Sequence, residues 1–211
     1  MVQLVAFDLY GTVLDISGLA GRLSGLLGAD AVPLLAGWRK AQIDRTQELN
    51  RLGQYEPFDR VTAWALAKVA PDLDPTLRIR MSDQWLTLPA YPDAATALRR
   101  LAAAGARTAI LSNGTKAMIE SALRAAGLEV GTVRSVEEVG VYKTDPRVYA
   151  LLDEMAPRGE TLFVSSNGWD AEGAKRDGRT VCWIDRGGPP PGLAPDFSVR
   201  SLAELAARVA S

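Results

Sequence analysis

The stretch VAFDLYGTVLD, residues 5–15, decides how the rest of this chain is interpreted. Its apolar start predicts a buried strand, and Asp8 follows that strand directly. Tyr10 and a Gly-Thr turn come next. A carboxylate held at a strand exit is a candidate nucleophile, whereas an aspartate that only caps the turn around Gly11 is the alternative interpretation.

Short apolar runs recur along the chain and alternate with segments typical of helices. The strand-like runs lie at residues 2–7, 108–111, 133–136, 161–164 and 180–184, and the helix-like segments at 94–104, 116–126, 146–155 and 171–176. Gly105, Gly127 and Gly178 are predicted to end three of these helices. This alternation predicts an α/β fold, a Rossmann-like doubly wound parallel sheet with helices on both faces.

Residues 17–89 interrupt the alternation and are typical of helices only. The predicted helices span 19–27, 32–50, 59–69 and 77–85. Because this insertion follows the first strand, we expect a helical cap subdomain (17–89) above an α/β core made of residues 1–16 and 90–211. Residues 88–92, LPAYP, are a candidate hinge. The loop 187–195 precedes one short predicted strand and one helix.

The composition argues against several classes of function. Of the 211 residues 23% are charged, and the formal net charge of −1 argues against a broad surface for nucleic acid or anionic membranes. No apolar run approaches the roughly 20 residues of a membrane-spanning helix, and no signal peptide is expected. A single cysteine, Cys182, allows no internal disulfide, so we expect a cytoplasmic location.

Histidine is absent from the sequence. This excludes Ser-His-Asp and Cys-His catalysis, a histidine base and zinc held by histidine. Catalysis therefore has to rely on carboxylates, on Lys, Arg, Tyr, Ser or Asn side chains, or on a hard cation.

Polar side chains follow the predicted strands at the points where these strands end. They are Asp8 and Tyr10, then Ser112 and Asn113, then Ser165, Asn167 and Asp170, with Lys143 in a loop after the third strand. Because the carboxyl ends of parallel strands meet at one edge of a sheet, we expect these side chains to converge in an active site there.

Four motifs in order, DLYGT, LSNGT, VYKTD and FVSSNGWD, resemble those of the haloacid dehalogenase superfamily, and within it the L-2-haloacid dehalogenase family. The resemblance covers nearly the whole chain. It implies that Asp8 attacks the carbon bearing a halogen and forms an ester intermediate. It also implies that Lys143 pairs with Asp8 and keeps it ionised, with a solvated loop lysine as the alternative.

Tyr10 separates two chemistries within that superfamily. Its phosphatases carry an aspartate at this position, which protonates the leaving alcohol and then activates water. Tyrosine has a reference pKa of about 10 and is a poor base at neutral pH. A halide leaves without a proton, so no acid is needed at this position. The resemblance implies only that the Tyr10 side chain lines the substrate site and that its backbone N–H contributes to binding. The alternative is that Tyr10 simply packs in the core.

The second motif is expected to bind substrate and product. The resemblance implies that Ser112, with backbone N–H groups near Leu9 and Tyr10, holds the substrate carboxylate. It implies that Asn113 helps to bind the departing halide. Ser-Asn-Gly is also a common turn, which is the alternative.

The fourth motif contains Ser165, Asn167 and Asp170, and Ser165 and Asn167 are expected among the substrate-binding residues. The resemblance implies that Asp170 orients Lys143 or helps to prepare water, and the same residue suits a helix N-cap. Tyr149 matches a family tyrosine that supports the site by hydrogen bonding, and we count Tyr149 among the substrate-binding residues. The alternative is that it packs on the sheet. The motif makes a poor cage for Mg²⁺, so no metal and no cofactor are expected.

The predicted cap supplies a Trp-Arg segment like that of the family. The resemblance implies that Arg39 takes the halide as the carbon–halogen bond breaks, although an arginine on a helix usually lies at the surface. Ile43, Phe58 and Trp169 are expected to line an apolar pocket, with plain core packing as the alternative for Ile43 and Phe58.

The resulting prediction is metal-independent hydrolysis of small (S)-2-haloacids to (R)-2-hydroxy acids, with a 2-haloalkanoic acid as the substrate. One rival is a Mg²⁺-dependent phosphatase of the same superfamily, and another is a non-catalytic binding protein that kept the fold. Family members are often homodimers, so the resemblance implies a homodimer. Leu9 and the polar segment 42–46 depart from the family pattern, which leaves pocket size and substrate preference open.

Overall fold

The computed structural model describes residues 2–210. Within these residues the core is a six-stranded parallel sheet in the order β3-β2-β1-β4-β5-β6. The strands are β1 (Leu4–Phe7), β2 (Arg107–Ser112), β3 (Thr132–Ser135), β4 (Thr161–Ser165), β5 (Thr180–Ile184) and β6 (Phe197–Val199). The predicted α/β fold with a parallel sheet is confirmed, including the short strand after the loop 187–195.

Strand β1 lies at the centre of the sheet because its sequence, LVAF, is apolar throughout and all of its side chains are buried. It pairs with β2 on one side and β4 on the other, and Phe7 is level with Ile110 and Val164. The chain runs from β1 out to β3 and then returns to β4 on the other side. Ligands of open α/β sheets bind outside the carboxyl ends of the strands at such a reversal, and Asp8 lies there.

Between β1 and β2 the chain folds into a group of helices. They are α1 (Ser17–Leu27), α2 (Val32–Leu52), α3 (Phe58–Val69) and α4 (Pro75–Ser82), followed by a 3-10 helix at Asp83–Leu86. The predicted helices agree with these positions, except at the last one. There the α-helix ends at Ser82, and the rest of the predicted helix is a 3-10 helix. Among residues 2–210 no single helix is long and apolar enough to cross a membrane; α1 and α2 pass such a test only as a pair that is bent by 119°.

The chain enters and leaves this helical region through two segments that lie side by side. Leu14 and Ala90 form an antiparallel bridge. The Asp15 N–H donates to the Pro89 carbonyl at 2.8 Å, and the Tyr91 N–H donates to the Val13 carbonyl at 3.0 Å. The hydrogen bonds hold the two crossings together next to the end of β1.

The remaining helices cover the sheet. They are α5 (Ala94–Ala103), α6 (Lys116–Ala125), α7 (Pro146–Ala150), α8 (Gly168–Arg176) and α9 (Leu202–Val209). The predicted helix 146–155 is too long, because after Ala150 the N–H groups of Leu152, Asp153 and Met155 bond to the carbonyl three residues earlier, which is a tighter turn than an α-helix makes.

Helix α8 approaches the loop after Lys143 so closely that only glycine fits at position 173. A Cβ on Gly173 would lie 2.5 Å from the Tyr149 hydroxyl oxygen and 2.7 Å from Cγ2 of Thr144. We expect Gly173→Ala to lower the free energy of unfolding by about 1–3 kcal/mol, the usual cost of overpacking. Urea denaturation of both proteins measures this difference.

The matched control is Gly21→Ala, since Gly21 is an exposed position inside α1 where a Cβ meets no atom within 4 Å. That change is expected to stabilise the protein by about 1 kcal/mol through helix propensity. Equal effects at the two glycines would contradict the close approach at Gly173.

Candidate active site

A buried lysine joins two aspartates at the reversal point of the sheet. Lys143 Nζ donates to Asp8 Oδ1 at 3.0 Å and to Asp170 Oδ2 at 2.9 Å. The Lys143 and Asp170 side chains are fully buried, and Asp8 is only slightly exposed. The three motifs that carry these residues lie far apart in the sequence, and the structure brings them together as predicted from the strand ends.

The charge of Lys143 is stabilised by its two carboxylate neighbours. Burial alone disfavours the ammonium form, but the charges of Asp170 and Asp8 and their hydrogen bonds outweigh it and raise the pKa of Lys143 above its usual range. The ammonium group therefore stays protonated at neutral pH. A solvated loop lysine, the alternative interpretation, is wrong.

Asp170 is fixed from three sides. Its Oδ1 accepts a hydrogen bond from the Tyr149 hydroxyl at 2.8 Å, and its Oδ2 accepts from the Ser165 hydroxyl at 2.9 Å in addition to Lys143. We expected Ser165 and Tyr149 to contact the substrate, but the structure places both hydroxyls against Asp170. With its oxygens occupied in this way, Asp170 is suited to position Lys143.

The second carboxylate oxygen of Asp8 is also fixed. Asp8 Oδ2 accepts from the Thr12 hydroxyl at 3.0 Å and from Asn167 Nδ2 at 2.7 Å. Asn167, expected at the substrate, thus contacts Asp8 itself. Thr12 was missed by sequence reasoning, although its place four residues after Asp8, in the turn that reverses the chain, was the available signal. Its hydroxyl also accepts a bond from the Ser166 N–H at 2.9 Å.

Tyr10 is a buried ring and not a base. Its ring centroid lies 6.5 Å from that of Phe58 and 5.6 Å from that of Trp85. Burial raises the pKa of Tyr10 well above its usual value, so the phenol stays protonated. Its hydroxyl has no hydrogen-bond partner among residues 2–210.

The second motif forms a turn beside the nucleophile. The Ser112 hydroxyl accepts from the Gly114 N–H at 3.1 Å, and Asn113 Oδ1 accepts from the backbone N–H of Lys143 at 3.1 Å. Asn113 thus holds the loop that carries the central lysine. The expected contacts of Ser112 with a carboxylate and of Asn113 with a halide stay predictions.

A cavity of about 430 Å³ opens between the helical region and the end of the sheet. Arg39 and Ile43 line it from α2, and Asn167 and Trp169 line it from the fourth motif. Phe58, expected in this pocket, lies instead in the buried aromatic cluster with Tyr10. A larger cavity, of about 830 Å³, lies at the opposite edge of the sheet and is lined by none of the site residues.

Arg39 projects toward the buried carboxylates. Its guanidinium lies 5.7 Å from the centroid of the Trp85 ring and donates to Gln42 Oε1 at 3.3 Å. Burial lowers the pKa of Arg39, and the charge of Asp8 opposes that shift. This position at the cavity excludes the alternative of a plain surface arginine.

Asn50, at the end of α2, fastens the helical region to the loop of Lys143. Its Nδ2 donates to the Tyr142 carbonyl at 2.8 Å, and its Oδ1 accepts from the Tyr142 N–H at 2.8 Å. The Tyr142 hydroxyl donates to the Glu56 carbonyl. No sequence pattern identified this contact, because its partners lie 92 positions apart.

Metal ligands are not grouped in the part of the chain that the structure describes. No three His, Cys, Asp or Glu side chains of residues 2–210 lie close enough to hold an ion. The Lys143 ammonium group lies between Asp8 and Asp170, at the position where a metal cation would otherwise balance the two carboxylates.

Comparison with known proteins gives a consistent set of relatives. The chain matches the haloacid dehalogenase-like hydrolase family over residues 2–178. It is 37% identical over 209 residues to an (S)-2-haloacid dehalogenase of Pseudomonas sp. (strain YL), which covers 94% of this chain and 90% of that protein.

Two solved structures are similar over nearly their whole length. One is the L-2-haloacid dehalogenase of Xanthobacter autotrophicus with chloropropionic acid covalently bound, with a TM-score of 0.93 and 30% identity, covering 99% of this chain and 98% of that one. The other is a dehalogenase with an intermediate complex, with a TM-score of 0.94 and 34% identity, covering 100% of this chain and 98% of that one.

Replacement of the central cation tests how much the site depends on it. Lys143→Met keeps the length of the side chain but leaves two carboxylates facing each other, so we expect the free energy of unfolding to fall by about 3–5 kcal/mol at pH 8. Because folding raises the pKa of Lys143, its contribution to the free energy of unfolding is complete below pH 10.5, the ordinary pKa of a lysine. That contribution is lost as the pH rises further. The difference between the two proteins in urea denaturation should therefore shrink above that pH.

Lys175→Met is the matched control, since Lys175 pairs with Asp196 at 2.7 Å on the surface, with about a third of each side chain exposed. Its loss is expected to change the stability by at most about 1 kcal/mol. Equal losses for the two lysines would contradict the central place of Lys143.

Proposed function

This chain belongs to the haloacid dehalogenase-like hydrolase family, and we propose that it hydrolyses the carbon–halogen bond of small (S)-2-haloacids to give (R)-2-hydroxy acids. The observation that carries this proposal is the contact of Asp8 with the buried Lys143, beside a cavity lined by Arg39 and Trp169. The (S)-2-haloacid dehalogenase activity of the relatives supports the same reaction.

The first step is a displacement at carbon. A carboxylate oxygen of Asp8 forms a bond to C2 of the substrate, the carbon–halogen bond breaks, and the halide leaves with the bonding electrons. Oδ2 already accepts two hydrogen bonds, from Thr12 and Asn167, whereas Oδ1 accepts one, from Lys143. Oδ1 therefore keeps a lone pair for attack. Attack from the side opposite the halogen inverts C2.

Arg39 stabilises the halide as its charge develops. A halide needs no proton, and the buried phenol of Tyr10 is not disposed to exchange one. The guanidinium is a partly buried positive charge at the cavity wall, and an electrostatic contact is stronger there than in bulk solvent.

The second step restores the nucleophile. Water attacks the carbonyl carbon of the Asp8 ester, and the bond between that carbon and the former Asp8 oxygen, now attached to C2, breaks. The hydroxy acid leaves with that oxygen and a proton from the water, and the water oxygen replaces it in the Asp8 carboxylate. One proton is released overall with the halide. Asp170 keeps Lys143 beside Asp8 throughout, which favours the return of the ionised carboxylate.

The rival functions lack support in the site. A Mg²⁺-dependent phosphatase would need an acid at position 10 and a group of oxygen ligands, and Tyr10 and the Lys143-filled carboxylate pair supply neither. A binding protein would not need an intact nucleophile with three hydrogen-bond donors around it. The expected homodimer and the cytoplasmic location stay predictions.

Chloride release tests the proposal directly. We expect the protein to release chloride from L-2-chloropropionate, not from the D enantiomer, and at the same rate with EDTA present. Asp8→Asn should lower the rate by about 10³-fold or more, since it removes the nucleophile. Asp44→Asn, on the exposed face of α2 and paired with Lys40, is the control and should retain full activity. Unchanged release by Asp8→Asn, or none from either enantiomer by the unaltered protein, would refute the mechanism.

Arg39 can be tested with a neighbouring control. Arg39→Gln should lower kcat for chloride release by about 10²–10³-fold, the usual effect of removing one donor to developing charge. The loss should be smaller for a bromide substrate, because bromide leaves more easily. Lys40→Gln removes the same charge from an exposed position next along the chain and should have little effect. Equal losses for the two variants, or for the two halides, would contradict a contact with the leaving group.

A further inference from the structure

The cavity holds a second guanidinium that the proposed reaction does not use. Arg186 follows β5 and lines the same cavity as Arg39, beside Tyr91 and the loop that contains Pro189. Arg39 belongs to the helical region and Arg186 to the sheet, and the contacts that hold them share no residue. They are therefore two separate cationic positions in one cavity.

Arg186 is held in place but keeps hydrogen-bonding capacity. Its guanidinium lies flat at 3.6 Å from the centroid of the Tyr91 ring, and its side chain is 15% exposed. Asp93 Oδ1 lies 3.6 Å from Nη2, which is close enough to offset part of the charge but too far for a hydrogen bond. The buried Nε has no hydrogen-bond partner among residues 2–210.

One residue connects this guanidinium to the nucleophile. The backbone carbonyl of Thr12 accepts a contact from Arg186 Nη2 at 3.5 Å, and the Thr12 hydroxyl donates to Asp8 Oδ2 at 3.0 Å. Arg186 and Asp8 thus share Thr12 as a common neighbour, which places the guanidinium two contacts away from the carboxylate.

The charges near Asp8 explain what such a cation adds. Lys143 and Arg39 are two cations near Asp8 and Asp170. A monocarboxylate substrate adds one negative charge, and the displacement moves the charge of Asp8 onto the departing halide while Asp8 becomes a neutral ester. A second carboxylate on the substrate needs a further positive group, and guanidinium binds carboxylate through two parallel hydrogen bonds.

We propose that Arg186 forms a second anion subsite and that the cavity accepts 2-halodicarboxylic acids, such as 2-chlorosuccinate, whose distal carboxylate binds this guanidinium. This inference rests on the proposed function and names its substrate class. The chemistry is the same displacement: the Asp8 oxygen–C2 bond forms, chloride leaves, and water hydrolyses the ester to release malate and a proton.

The test compares two substrates of similar size that differ in the distal charge. We expect the unaltered protein to have a higher kcat/KM for (S)-2-chlorosuccinate than for (S)-2-chlorobutanoate, at fixed low ionic strength. Arg186→Gln should lower that ratio by about tenfold, mainly through KM, which corresponds to about 1.4 kcal/mol. Arg186→Lys keeps the charge but loses the planar guanidinium that can form two parallel hydrogen bonds. Its ratio of kcat/KM for the two substrates should lie between those of the unaltered protein and Arg186→Gln.

Arg200→Gln is the matched control, because Arg200 is exposed and the change removes the same charge. It should leave the substrate ratio unaltered. A ratio that is the same in Arg186→Gln as in the unaltered protein would overturn the subsite. An equal loss for both substrates would also overturn it and assign Arg186 a structural role with Tyr91 and Asp93.

Equilibrium binding separates this inference from the proposed function. Trp169 lines the cavity, so its fluorescence is expected to report titration with the products (R)-malate and (R)-2-hydroxybutanoate. Tighter binding of malate that is lost in Arg186→Gln supports the subsite even if no haloacid is hydrolysed. Equal affinity for the two acids in the unaltered protein overturns the subsite even if 2-chloropropionate is hydrolysed.

Discussion

One buried ammonium group organises this site. Lys143 lies between Asp8 and Asp170 with no exposed side-chain surface, and its positive charge is the reason two carboxyl groups can lie so close together in a buried site. Everything that positions Lys143 therefore bears on the nucleophile. Asn113 holds its backbone, Asp170 holds its side chain, and Tyr149 and Ser165 hold Asp170. These residues come from the ends of β2 and β4 and from the segment that follows β3.

The same lysine links the helical region to the chemistry. Asn50 binds both the N–H and the carbonyl of Tyr142, the residue directly before Lys143. A shift of α2 would therefore move Arg39 and would also pull on the backbone of the lysine. The positions of Arg39 and Lys143 are in this way linked through Asn50, and both parts of the molecule form the cavity.

The sequence was sufficient for the parts of the structure that depend on local pattern. Apolar runs predicted β1 and its neighbours, and the order of polar strand ends predicted that Asp8, Lys143 and Asp170 would meet. It was insufficient where side chains meet across long sequence separations, as for Asn50 with Tyr142 or Arg186 with Tyr91. It also gave no means to tell a cavity wall from a buried cluster, and Phe58, for which both were open, packs against Tyr10 in the cluster.

The paired crossings at Leu14 and Ala90 have a consequence for what can change in the cavity. Because the chain leaves the sheet and returns to it at neighbouring points, the intervening segment is attached like an inserted module, and its length is not constrained by the sheet. A change of length within this segment can therefore alter the cavity wall that it supplies while the register of the sheet stays the same. The contacts of Asn50 with Tyr142 tie such a change to the position of Lys143.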